Sequence, residues 1–125
     1  TGMTPTAYLD SLGMFEYGGG GFHCVHMTEE DLRIFQKRGL SGVTNPGSNT
    51  KLASGSAPIR RMMELGINIG IGTDGPASNN CLDMFREMFL TTGLAKLREK
   101  DAAVVDAGQV LYMATAGGAK VCGLN

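Results

Sequence analysis

An excess of charge of one sign is what this chain most clearly lacks. Its 11 basic and 12 acidic residues leave a formal net charge of -1, so there is no electrostatic footprint for nucleic acid or for an anionic membrane surface. Long apolar runs are missing too, and none approaches the ~20 residues that a membrane-spanning helix needs. The N-terminus lacks the basic-then-apolar order of a signal peptide, and the chain reads as soluble and cytoplasmic. Cysteine is scarce. Cys24, Cys81 and Cys122 are odd in number, widely spaced and set in apolar surroundings, which argues against a disulfide framework and predicts buried thiols.

What is present is a domain's worth of ordinary globular sequence, 125 residues with 42% hydrophobic and 18% charged, for which disorder is not expected. Glycine is abundant. Its 19 residues stand against an average share near ~7% and imply many closely spaced turns. Gly18 to Gly21 form a run of four directly before Phe22-His23-Cys24-Val25-His26. Glycines weaken a strand, because each loses much backbone entropy on ordering and packs no side chain.

Local signals give an alternating order of elements. Thr4-Pro5-Thr6-Ala7-Tyr8-Leu9 reads as a helix start with Leu9 and Leu12 on its inner face, and Phe22 to Val25 as a strand. Thr28 is placed as N-cap of a helix from about Glu29 to Arg38, with acidic residues in its first turn and Met27 stapled against Leu32. Gly39 stops it, and Leu40 to Thr44 reads as a short strand ending before Asn45-Pro46. Pro46 to Ser56 is small and polar, so a loop is expected. Ser56-Ala57-Pro58 then opens a helix with Ile59, Met62 and Met63 on one face, closed by Gly66. Ile67, Ile69 and Ile71 recur at the period of a strand that runs to Gly72. A helix begins near Asn80 with Leu82, Phe85 and Phe89 at helical spacing. Asp106 caps another through Gln109, Val110, Leu111 and Met113, and Ala116 to Val121 forms a last short piece. Such alternation implies an α/β fold with parallel strands and right-handed crossovers. Three strands cannot close a barrel of eight, and would form an open sheet with two exposed edges.

The chemistry gathers at the strand ends, where parallel α/β folds bind ligands. Asp74 follows the Ile67 to Gly72 run in Gly72-Thr73-Asp74-Gly75, as a turn residue or as a functional carboxylate. His23-Cys24-Val25-His26 has metal-ligand residue types. On a strand, however, His23 and Val25 share one face and Cys24 and His26 the other, so both imidazoles reach one ion only if the strand has already ended. His23 alone is a catalytic candidate or a satisfied structural histidine. His26 reads as a loop residue near Thr28, and Cys24 as packed under a helix. Gly70 to Gly75 spells G-x-G-x-x-G after a strand, but Asp74 would repel the pyrophosphate that this loop receives, and no acidic strand end follows at about 20 residues. Asn45-Pro46-Gly47-Ser48-Asn49 lies at the same end of the sheet as His23 and Asp74.

Three blocks, HCVHMTEEDL (His23 to Leu32), NPGSNTKLASGSAPI (Asn45 to Ile59) and GINIGIGTDGPASNNCLDMF (Gly66 to Phe85), occur in an order and at separations that resemble the amidohydrolase superfamily. The nearer likeness is to its aminohydrolase and chlorohydrolase branch, and ATAGGAKVCGL (Ala114 to Leu124) is similar to the family's helix after the last barrel strand. The resemblance covers nearly the whole chain. It implies the last three β/α units of a TIM-type (β/α)8 barrel, with residues 1–125 as the C-terminal portion of a metal-dependent hydrolase domain. The family uses one divalent metal, zinc or iron, to hydrolyse a C–N or C–halogen bond of a small heteroaromatic substrate such as a purine or triazine.

By the same resemblance, Asp74 matches the aspartate of the eighth strand, which binds the metal and shuttles a proton from the attacking water. His23 matches the histidine of the sixth, which orients that water or polarises the substrate. Two features depart from the pattern. Thr44 stands where the family often has a histidine, and Gly18 to Gly21 stand where an apolar strand is usual. The family's His-x-His pair and the histidine of its fifth strand have no counterpart here, and Thr1-Gly2-Met3-Thr4-Pro5 resembles the segment after that strand. The chain thus supplies one of four expected protein ligands, and is expected to be inactive without the remainder of the barrel. Two other readings remain: a non-catalytic module that assembles with another copy through its open edges, and a nucleotide-binding domain using the Gly70 to Gly75 loop.

Overall fold

Between Thr28 and Gly39 the chain does what its sequence dictates. The Thr28 hydroxyl accepts the Asp31 N–H at 3.1 Å and the Asp31 carboxylate accepts the Thr28 N–H at 2.9 Å, a reciprocal capping box that starts α2, Glu29–Arg38. Gly39, at a φ of 64°, ends it in the left-handed conformation that glycine adopts without steric penalty. The computed structural model describes residues 2–124. Thr1, at the head of the Thr1 to Pro5 segment, and Asn125 lie outside the described residues.

The remaining elements follow in the expected alternation: α1, Pro5–Ser11; β1, Gly20–Phe22; then α2; β2, Ser41–Thr44; α3, Pro46–Lys51; α4, Ile59–Glu64; β3, Asn68–Ile71; α5, Pro76–Asn79; α6, Met84–Glu99; α7, Ala107–Tyr112; a π-helical turn, Met113–Gly117; and α8, Gly118–Val121. The strands form one parallel sheet in the order β1-β2-β3. Gly20 pairs with Ser41 and Phe22 with Val43 across the first ladder, and Ser41 with Asn68 and Thr44 with Ile71 across the second. This is the α/β architecture of a partial TIM-type barrel, with open edges at β1 and β3. No helix among the described residues is long and apolar enough to cross a membrane.

Only the central strand is buried along its whole length. Leu32 and Phe35 of α2, Ile59 and Met62 of α4, and Ile67, Ile69 and Ile71 around β3 form the core with Ala95, Val105 and Met113. Leu40 and Met62 are each 1% exposed, and burial of such a side chain contributes roughly 1.5–3 kcal/mol. The glycines of β1 also have a packing reason, since a Cβ on Gly20 would stand 2.4 Å from the Ser41 carbonyl oxygen.

Several sequence expectations need correction. The strand expected over Phe22 to Val25 lies earlier, because His23 and Cys24 take left-handed φ values of 65° and 53° and turn the chain out of the sheet. Pro46 to Ser56 is not all loop: Pro46 sits at the first turn of α3, where its fixed φ and missing N–H are tolerated. On α1, Ala7 is buried, Leu9 is half-buried and Leu12 is exposed. Beyond Asp74 there are two helices where one was expected, the second capped by Asp83. That start turns Glu87, Thr91 and Ala95 inward, with Met84 and Met88 beside them, and leaves Leu82, Phe85 and Phe89 exposed. Of the three free thiols, Cys24 is buried, Cys81 half-buried and Cys122 exposed.

Candidate active site

The carboxyl ends of the three strands bring His23, the Asn45 to Asn49 segment and Asp74 together, as parallel topology requires. At β1 the left-handed pair His23-Cys24 sends neighbouring side chains opposite ways. The Cys24 thiol enters the core and donates to the Gly21 carbonyl at 3.3 Å, and burial pushes its pKa up to about 11. The His23 imidazole stays partly exposed, in a cleft of about 500 Å³ that Asp31, Ser48, Asn49 and Asp74 also line.

Asn49 and Ser48, on consecutive positions of α3, hold the two candidate groups. Asn49 Oδ1 lies 2.8 Å from His23 Nδ1. With the amide oxygen on that side, the Nδ1–H donates to Asn49, and Nε2 is the ring atom turned toward the carboxylate. Ser48 Oγ donates to Asp74 Oδ2 at 2.7 Å, and the Gly75 N–H donates to Asp74 Oδ1 at 2.8 Å. These two bonds, with a smaller contribution from the Ser78 hydroxyl, hold the Asp74 carboxyl at about 2, below its usual 3.8. Asp74 itself has a φ of 61°, which aspartate tolerates better than most residues because its side chain bonds locally.

His23 Nε2 and Asp74 Oδ2 stand 3.8 Å apart. Ser48 occupies one site on Oδ2 and Gly75 one on Oδ1, and a carboxylate oxygen can accept more than one bond. A carboxylate oxygen is a donor type that fits a divalent zinc or iron ion, so Asp74 could hold one at this strand end. Among the described residues, no group of three His, Cys, Asp or Glu side chains could hold a metal. Because β1 ends at Phe22, strand alternation no longer separates His23 from His26; His26 is an exposed loop residue that also lines the cleft. Thr44 is buried, and its carbonyl accepts the Gly72 N–H at 2.9 Å.

A second cleft of about 450 Å³ runs along the open edge of β3 past Asn68, Tyr112 and Met113, and neither carboxylate nor histidine lines it. The Gly70 to Gly75 loop opens onto α5, which has four residues and proline at its start. It thus offers no long helix N-terminus, with its converging N–H groups, for a pyrophosphate. Sequence reasoning put the Asn45 to Asn49 segment at the strand ends but gave Ser48 and Asn49 no role. The available signal was Pro46 after Asn45, a helix-start pattern that would have put both residues on one turn beside the strand ends.

All of the chain, residues 1–125, matches the Amidohydrolase family. The chain belongs to that family. It is 49% identical over 124 residues to a 5-methylthioadenosine/S-adenosylhomocysteine deaminase of Desulforudis audaxviator, covering 99% of this chain and 29% of that protein. Among solved structures it superposes on an adenosine deaminase from Xanthomonas campestris with bound zinc, with a TM-score of 0.91 and 42% identity, covering 98% of this chain and 28% of the other. It also superposes on an atrazine chlorohydrolase variant from Arthrobacter aurescens complexed with zinc and atraton, with a TM-score of 0.88 and 27% identity, covering 98% and 27%. This amidohydrolase chain thus spans less than a third of the length of these relatives.

Proposed function

We propose that residues 1–125 are the C-terminal part of a cytoplasmic, metal-dependent amidohydrolase barrel, and that the complete enzyme hydrolytically deaminates a purine ring. C–halogen hydrolysis on a triazine is the related chemistry that the same site could support. The observation that carries the proposal is the pairing of Asp74 Oδ2 with His23 Nε2 at 3.8 Å across the strand ends. The deaminase relative at 49% identity and the zinc-bound adenosine deaminase support the choice of reaction. Asp74 is the residue of this chain that would hold the ion. A bound zinc or iron ion supplies Lewis acidity, which brings the pKa of water toward ~7.

The chain's own residues then have separate tasks. The Ser48 hydroxyl and the Gly75 N–H keep Asp74 ionised and fix which lone pairs remain free. One of these takes a proton from the water attacking the ring carbon, and the proton passes to the departing amine as the C–N bond breaks. With its carboxyl held at about 2, Asp74 is ionised at neutral pH, the form that can accept a proton. His23, fixed by Asn49 at Nδ1, presents Nε2 to the attacking water or the ring. The test is Asp74→Asn in the full-length enzyme: an amide cannot accept the proton, so turnover is expected to be lost, and near-normal activity would sink the role given to Asp74.

A further inference from the structure

Beneath α3, which carries Ser48, and the loop that carries Asp74 lies a second carboxylate. Glu87 of α6 is 0% exposed. Its Oε2 accepts the Gly47 N–H at 2.8 Å, and its Oε1 accepts from Asn79 Nδ2 at 2.7 Å. Asn79 Nδ2 also donates to the Thr73 carbonyl at 2.6 Å. Asn79 Oδ1 is buried without a hydrogen-bond partner, so two acceptors on its NH₂ side alone hold that amide in place. The packing leaves no slack: a Cβ on Gly47 would stand 2.4 Å from Glu87 Oε1 and 2.8 Å from Asn79 Nδ2.

These contacts close a circuit around the candidate site. Gly47 is followed by Ser48, whose hydroxyl donates to Asp74, and Asp74 is preceded by Thr73, whose carbonyl is held by Asn79. Asn79 returns to Glu87, and Glu87 to Gly47. We propose that Glu87, acting through Gly47 and Asn79, is the positioning residue that sets the Ser48–Asp74 hydrogen bond and so the placement of the Asp74 carboxylate. The proposal rests on the reading of Asp74 given above. A buried carboxylate is costly to place unless its hydrogen bonds are satisfied. Here the two donors belong to the short helices α3 and α5, which follow the ends of β2 and β3.

The test uses the full-length enzyme and zinc alone as the binding probe. Glu87→Gln keeps the size of the side chain but turns an NH₂ group toward one of the two N–H donors. Zinc affinity, measured by competition with a chromophoric chelator, is expected to fall about 10-fold, the usual scale for groups that orient a metal ligand. In the zinc-saturated enzyme kcat is expected to fall about 10-fold while KM stays near that of the unaltered enzyme. Should Glu87→Gln not fold, Asn79→Ala decides on the same readings, since it cuts the Thr73 arm and leaves the Glu87 bond to Gly47. Unaltered zinc affinity and kcat overturn the proposal. So does a loss of activity that tracks only the folded fraction. Asp74→Asn is the control: if it keeps zinc affinity, the reading of Asp74 fails, whereas if it loses zinc and Glu87→Gln does not, only the positioning role fails.

Discussion

Asp74 and Cys24 show how one residue's surroundings decide its chemistry in this fold. Asp74 meets donors on both oxygens and stays ionised; Cys24 is desolvated, and its pKa rises from 9.0 to about 11. A raised folded pKa means that the unfolded chain gives up its proton first. The stability linked to Cys24 is therefore fully present below pH 9.0 and is lost as the pH rises through about 11. Denaturant melts across that window should show stability falling, and Cys24→Ala should flatten that part of the slope; an unchanged slope would contradict the assignment. The period of Ile67, Ile69 and Ile71 placed Asp74 just past a strand end, whereas His23 was singled out with its strand expected over Phe22 to Val25, and that strand ends at Phe22. The roles of Ser48, Asn49 and Glu87 were not legible, since they reach their partners across 26 to 40 residues of chain, and no local pattern encodes such contacts.

Helix starts are the best-determined feature of the elements, because capping chemistry is local. Asp106 accepts the Gln109 N–H at 2.8 Å while the Gln109 side chain accepts the Asp106 N–H at 2.9 Å, as the sequence signal for α7 implied. Asp106→Ala should cost about 1 kcal/mol in a urea titration, and a change indistinguishable from zero would remove the cap from the account. α2 was legible for the same reason. α3 was not, because six small and polar residues carry no helical period and are held by their place beneath the strand ends. The inward face of α6 was misread because Leu82, Phe85 and Phe89 share a helical spacing, yet Glu87, Thr91 and Ala95 face the core. Hydrophobicity alone could not reveal that the buried face of α6 carries a carboxylate satisfied by donors from α3 and α5.

For the whole molecule, parallel order and strand count were readable from the alternation of elements, and the family resemblance extended them to a partial barrel. The chain spans 29% of the length of its deaminase relative, and among its described residues no three metal-ligating side chains converge. One ligand binds an ion weakly. Elemental analysis of the isolated 125-residue chain after dialysis should find no stoichiometric zinc or iron, and firm retention of one ion per chain would overturn the division of ligands proposed here. The central claim is that Asp74 binds the metal and moves the proton in the complete enzyme. Its most direct test is the steady-state turnover of Asp74→Asn in the full-length protein, assayed with a purine nucleoside substrate. The account predicts a fall of about 10²-fold to 10⁴-fold, and turnover close to that of the unaltered enzyme would contradict it.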